Sequence, residues 1–261
     1  MIAGIAISLS AWRRPMSEAL DAARACGAHN VDLMAVPSWG QLDPAQLADD
    51  PDGWVRRIQA ELQPRNLTVA ALNAAVPDPH LHLSADRQRE RRRQAEGLAR
   101  VAAGLGVKVV SLYPGYHHEG LISRAALKAT CAEWVEIGRT YGVHLAPEIH
   151  WQTVAADPAA ALDLCTHVPD LRLVLDPSHA IMAGISLDDW RPLLPYVAHV
   201  HIRDARLGQR SVPWGTGTCD ARAWLNALSD VGYSGYVTIE YLPDDECLEQ
   251  SIARALIDLK K

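Results

Sequence analysis

Short aliphatic and β-branched runs recur along the chain, and each gives way to a longer stretch with apolar positions at helical spacing. Eight runs stand out: 2–9 (IAGIAISL), 30–36 (NVDLMAV), 67–73 (LTVAALN), 107–113 (VKVVSLY), 143–149 (VHLAPEI), 171–176 (LRLVLD), 197–202 (VAHVHI) and 236–242 (YVTIEYL). They are nearly continuous in apolar residues instead of alternating, as expected of strands buried on both faces of a parallel sheet. Between them the spacing predicts helices over Met16–Cys26, Gly53–Gln63, Ala85–Leu105, Arg124–Tyr141 and Cys219–Val231. The pieces CGAHNVDL, LGVKVVSL, YGVHLAPE and VGYSGYVTIE repeat one motif, a helix end, a glycine C-cap and then a strand.

Eight strand–helix units are what a single (β/α)8 TIM barrel needs, and 261 residues suit one such domain over 1–261. A doubly wound open sheet is the competing architecture, but no glycine-rich phosphate loop follows the first strand. The apolar start, MIAGIAISLSAWRRP, is too short to span a bilayer and has its arginines after the apolar run, so it reads as a core strand. Five scattered cysteines with no CxxC pair predict reduced thiols and a cytoplasmic protein. A formal charge of −6 disfavours nucleic acid as a partner. The one basic run, Asp86 to Arg93 (DRQRERRR), carries interspersed glutamate and glutamine and reads as a solvated helix face.

Polar residues at strand ends change the picture from fold to chemistry. In an all-parallel barrel the C-terminal end of each strand faces the mouth where catalytic groups sit. The last four strands each end on such a group: Glu148, Asp176, His201 and Glu240. Three converging carboxylates repel one another unless a cation compensates them, so the set predicts one divalent metal ion, with manganese, magnesium, cobalt and zinc all compatible with three oxygens and an imidazole. His179, three residues past Asp176, is placed to act as a fifth ligand or a proton donor. His199 faces the same side as His201, one layer deeper, and reads as structural. Arg203 and Asp204 follow the seventh strand, where the arginine either binds substrate oxygens or pairs at the surface. Trp12, Trp39, Trp151 and Trp214 each follow a strand and serve either as walls of a pocket for a hydroxylated ligand or as packing. Asn73 and Tyr113 reach toward the mouth, and His117–His118 sits in a turn that reads as exposed.

With those motifs placed, the chain resembles the xylose isomerase-like barrel superfamily of sugar isomerases and epimerases, which includes endonuclease IV. The resemblance spans nearly the whole chain and rests on an ordered set: Glu148, DPSHA with Asp176 and His179, HIRDA with His201, the Gly215–Gly217 loop followed by Asp220, and IE at Glu240. It implies that Glu148, Asp176, His201 and Glu240 hold a single metal, that Glu148 and Glu240 act as acid and base on an enediolate, and that His179 and Arg203 hold the substrate's oxygen. The implied activity is isomerisation or epimerisation of a small polyhydroxy carbonyl compound by a chain of a kind that often pairs as a homo-oligomer; Trp12 and Asn73, by their place after strands, are the further substrate-binding candidates. A dehydratase acting through the same enolate is the alternative, with His150 or His179 as proton donor. An endonuclease IV-like reading is disfavoured, because Tyr113 stands where the nuclease pattern has histidine and 202–214 contains no histidine. A non-catalytic sugar-binding barrel is disfavoured because both glutamates are present.

Overall fold

The computed structural model describes residues 2–76, 84–115, 124–151, 153 and 156–260. Eight strands run β1 Gly4–Ser8, β2 Asn30–Ala35, β3 Thr68–Ala74, β4 Val109–Leu112, β5 His144–Ile149, β6 Leu173–Leu175, β7 Val197–Ile202 and β8 Tyr236–Ile239. All pair in parallel and in sequence order, and β1 closes on β8, giving a (β/α)8 barrel. The helices are α1 Met16–Ala25, α2 Pro44–Asp49, α3 Pro51–Leu62, α4 Ala85–Gly104, α5 Arg124–Tyr141, α6 Pro158–His167, α7 Pro177–Met182, α8 Leu187–Trp190, α9 Ala221–Asp230 and α10 Leu248–Asp258. The helix-end glycines of the four repeated pieces, Gly27, Gly106, Gly142 and Gly232, take positive φ between 69° and 90°, which is the left-handed turn that ends a helix cleanly. Among the described residues no helix is long and apolar enough to cross a membrane.

Strand alternation divides the apolar residues between two places. One set packs against the helices in the large core, with Ile7, Leu33, Leu72, Leu145, Leu175 and Val200 among its members. The other, Ala71, Val109, Ala146 and Val174, forms a separate cluster. Two residues farther along those strands, on the same inward side, come Asn73, Ser111, Glu148 and Asp176. The polar layer therefore sits directly on a floor of small apolar side chains.

The basic run of α4 is knitted into ion pairs. Arg89 pairs with Asp86, Arg92 with Glu96, and Arg93 with both Glu90 and Asp49 of α2. Arg91 is buried against Glu133 of α5. These contacts support a solvated helix face that also ties neighbouring helices together. His117 and His118 lie outside the described residues.

Candidate metal and proton-transfer centre

Strands β6 and β8 stop earlier than the apolar runs predict, so Asp176 and Glu240 lie just beyond them. Asp176 is the N-cap of α7: its Oδ1 accepts from the backbone of Ser178 at 2.8 Å, and Pro177 occupies the first helical position. A carboxylate followed by proline and a helix-compatible triplet favours this turn, because proline has no N–H to satisfy and its φ suits the first turn. One turn on, His179 returns to the same side, its Nε2 at 3.7 Å from Asp176 Oδ2.

The four strand-end residues are brought to one mouth, and all are buried. His201 Nδ1 lies 3.1 Å from Glu148 Oε1 and 3.7 Å from Glu240 Oε2. Donor atoms of Glu148, His201 and Glu240 lie within 4.8 Å of one another, as do those of Glu148, Asp176 and His179. Glu148 is common to both groups, so the predicted four-residue set is present as two overlapping triads, with His179 drawn into the one that contains Asp176.

Arg203 is neither at the surface nor free. Its Nη2 lies 2.5 Å from Asp176 Oδ2 and 2.7 Å from Glu240 Oε2, in a fully enclosed position. This guanidinium is the compensating cation that a cluster of buried carboxylates demands. Asn73 adds a neutral donor, Nδ2 to Glu240 Oε1 at 3.1 Å.

The electrostatics separate the two glutamates. Burial alone raises the Glu148 carboxyl, but the charge and hydrogen bond of His201, with His150 and His179 nearby, hold it down at about 2. For Glu240 burial prevails over His201 and Arg203, and its carboxyl is raised. Asp176 is lowered: burial opposes ionisation, and Arg203, His179 and hydrogen bonding by Ser178 outweigh it. His179 is pushed down to about 3, chiefly by burial, so its ring is neutral. Its Nδ1 accepts from the Trp151 amide at 3.3 Å, which puts the ring proton on Nε2, a buried atom with no hydrogen-bond partner. His179 is thus a neutral donor with an unused N–H beside the carboxylates. The His150 ring lies against it, tilted by 43° with centroids 3.9 Å apart, and Tyr113 meets His150 edge-on at 5.3 Å.

The other predicted groups divide. Trp12 belongs to the apolar core, Trp39 carries Arg13 over its ring at 4.5 Å, and Trp151 is 45% exposed. Trp214 packs: its Nε1 bonds Asp258 of α10 at 3.1 Å and its amide bonds Ser251. Asp204 is turned away from the carboxylates and into the backbone, accepting from the amides of Ala205, Gly215, Gly217 and Cys219 at 2.8 to 3.2 Å. Gly217 is required there, since a Cβ would stand 2.2 Å from Asp204 Oδ1.

One participant escaped sequence reasoning. Asp32 of β2 is wholly buried, with Oδ2 at 2.7 Å from His199 Nε2 and 3.4 Å from His201 Nε2. The signal was there, a carboxylate inside an apolar run, the same mark that singles out Glu148. His199 is one layer below His201, level with Val174, as the alternation predicts.

Residues 19–258 match the model of a family described as a xylose isomerase-like TIM barrel. Among curated relatives, the chain is 35% identical over 82 residues to a putative hydroxypyruvate isomerase of Mus musculus, a match covering 31% of this chain and 29% of that protein. The chain thus spans under a third of the length of that relative in the matched region. Among solved structures, 3-keto-D-glucoside 4-epimerase YcjR of E. coli superposes with a TM-score of 0.77 at 16% identity, covering 100% of this chain and 99% of that one. An IOLI protein crystallised with a zinc atom superposes with a TM-score of 0.73 at 19% identity, covering 98% and 96%.

Proposed function

The chain belongs to the xylose isomerase-like TIM barrel family, and from that footing we propose that it is a divalent-metal-dependent isomerase or epimerase of a small polyhydroxylated ketone or aldehyde. The observation that carries the reading is the pair of buried glutamates that share the Nδ1 side of His201, one held ionised and the other raised. The hydroxypyruvate isomerase and 4-epimerase named above support the reaction class, and the zinc of the IOLI protein supports a metal.

The donor set fits a divalent cation: three carboxylates and an imidazole converge, and two overlapping triads already have their donor atoms within 4.8 Å. Glu148, Asp176, His201 and Glu240 would hold it. When bound, manganese, magnesium, cobalt or zinc would polarise a substrate carbonyl and acidify the neighbouring C–H. Glu148, ionised, takes that proton. Glu240, whose raised carboxyl retains a proton more readily, returns one at a neighbouring carbon or the opposite face. His179 donates its unused Nε2–H to the oxygen on which negative charge grows, without itself carrying a charge. Arg203 keeps Asp176 and Glu240 compensated and offers its remaining donors to a substrate oxygen.

Two measurements on one preparation test this. Elemental analysis of unchelated protein should find close to one divalent ion per chain. Incubation with a panel of ketoses in deuterated water should then give exchange of the hydrogen beside the carbonyl, followed by NMR. No retained metal after manganese loading, or no exchange with any ketose, sinks the proposal. Growth of an enone absorbance in place of exchange would instead favour a dehydratase, a reading supported by the adjoining His150–His179 pair as a donor to a leaving hydroxyl.

A further inference from the structure

We propose that Asp32 is the residue that positions His201 for metal binding, by accepting the proton on the rear nitrogen of its ring. The inference rests on the metal-dependent reading above and concerns a residue that lies outside the ligand set.

Consider first what the His201 ring separates. Its Nδ1 faces the oxygens of Glu148 and Glu240 at 3.1 and 3.7 Å. Its Nε2 faces the opposite way, 3.4 Å from Asp32 Oδ2, and has no hydrogen-bond partner although it is buried. Asp32 Oδ1 is likewise buried and without a partner. His201 Nε2 and Asp32 Oδ1 are thus each buried without a hydrogen-bond partner, with Asp32 Oδ2 the carboxylate oxygen that lies toward the ring, and a buried polar atom left unpaired is destabilising.

An imidazole ligates a metal through its unprotonated nitrogen, so the other nitrogen must carry the proton and needs an acceptor. With Nδ1 on the side of the glutamates, that proton belongs on Nε2. The acceptor behind it is Asp32. A fully enclosed carboxylate is otherwise an expensive group to place in a strand. Asp32 is itself held: His199 Nε2 lies 2.7 Å from its Oδ2, and Thr238 Oγ1 lies 3.0 Å from the same His199 nitrogen. The pair of residues one layer below the mouth thus has a use that a merely structural histidine would not give it. His199 fixes Asp32, and Asp32 fixes the ring orientation and tautomer of His201.

The same three side chains, Asp32, His199 and His201, have donor atoms within 4.8 Å of one another, so a second cation site is the competing use. Zinc titration against a competing chelator, with elemental stoichiometry, separates the two on wild-type protein and Asp32→Asn. Positioning predicts one zinc per chain in the wild type and affinity weakened by about 10–100-fold in the variant, with an unchanged circular dichroism spectrum. Nitrogen-15 histidine NMR of the zinc-loaded wild type should show His201 protonated at Nε2, a readout independent of activity and of whether the variant folds. Two zinc ions per wild-type chain with one lost in the variant, equal affinities, or a His201 ring protonated at Nδ1 would each overturn the inference while leaving the metal reading standing. Wild-type protein that takes no zinc overturns both.

Discussion

The two halves of the barrel are built from the same strand–helix unit, yet their inward-facing mouth residues differ in kind. Strands β1 to β4 contribute Ser8, Met34, Asn73 and Ser111, all neutral, whereas β5 to β8 and the residues directly after them contribute Glu148, Asp176, His201, Arg203 and Glu240. In the neutral half polar contacts are sparse and weak: Ser8 Oγ meets Met34 Sδ at 3.5 Å, and Ser111 Oγ has no hydrogen-bond partner. In the charged half every carboxylate has a cationic or imidazole neighbour. The difference teaches that a barrel concentrates chemistry by letting one wall be inert. Charges that must compensate one another need adjacent strands, and at the mouth the opposite wall supplies shape and a neutral donor, as Asn73 does for Glu240, while its buried carboxylate, Asp32, lies a layer deeper.

The largest effect that would break this contrast is expected from Arg203→Ala. Removing the cation between Asp176 and Glu240 leaves buried carboxylates uncompensated, and chelator-treated protein should lose about 3–5 kcal/mol of stability in urea unfolding. A divalent ion should restore much of it. Equal losses with and without metal would show that the arginine and a metal do not share the same carboxylates. Next, Glu148→Gln and Glu240→Gln should each cut turnover by a factor of about a hundred or more while the fold is kept. Full activity in either variant removes that residue from proton transfer. Smallest is Ser111→Ala in the neutral half: its hydroxyl has no partner, so deletion should leave stability unchanged or slightly raised by thermal unfolding. A marked loss there would mean the inert wall is not inert.

Much of this was legible before any coordinates. The closed barrel follows from eight apolar runs and from glycines at helix ends, because those patterns report local periodicity and backbone turns. The mouth residues follow from polarity where a core strand should be apolar. What stayed hidden is what depends on distance across the barrel. Asp32 bears the same mark as Glu148, but it stands alone in the neutral half, and only closure of the sheet brings it against His199 and His201. Arg203 read equally well as a surface residue or a substrate contact, since nothing in HIRDA tells that its side chain folds back over the mouth. Trp214 follows a strand as Trp151 does, yet its indole is claimed by Asp258, forty-four positions away.

The Asp204 clamp has a mechanical meaning. One carboxylate gathers four amides from its own neighbour and from positions 215, 217 and 219, so that segment has no weak end from which to peel. It leaves as a unit or it stays. The adjoining Arg203 therefore grows from a firmly anchored abutment.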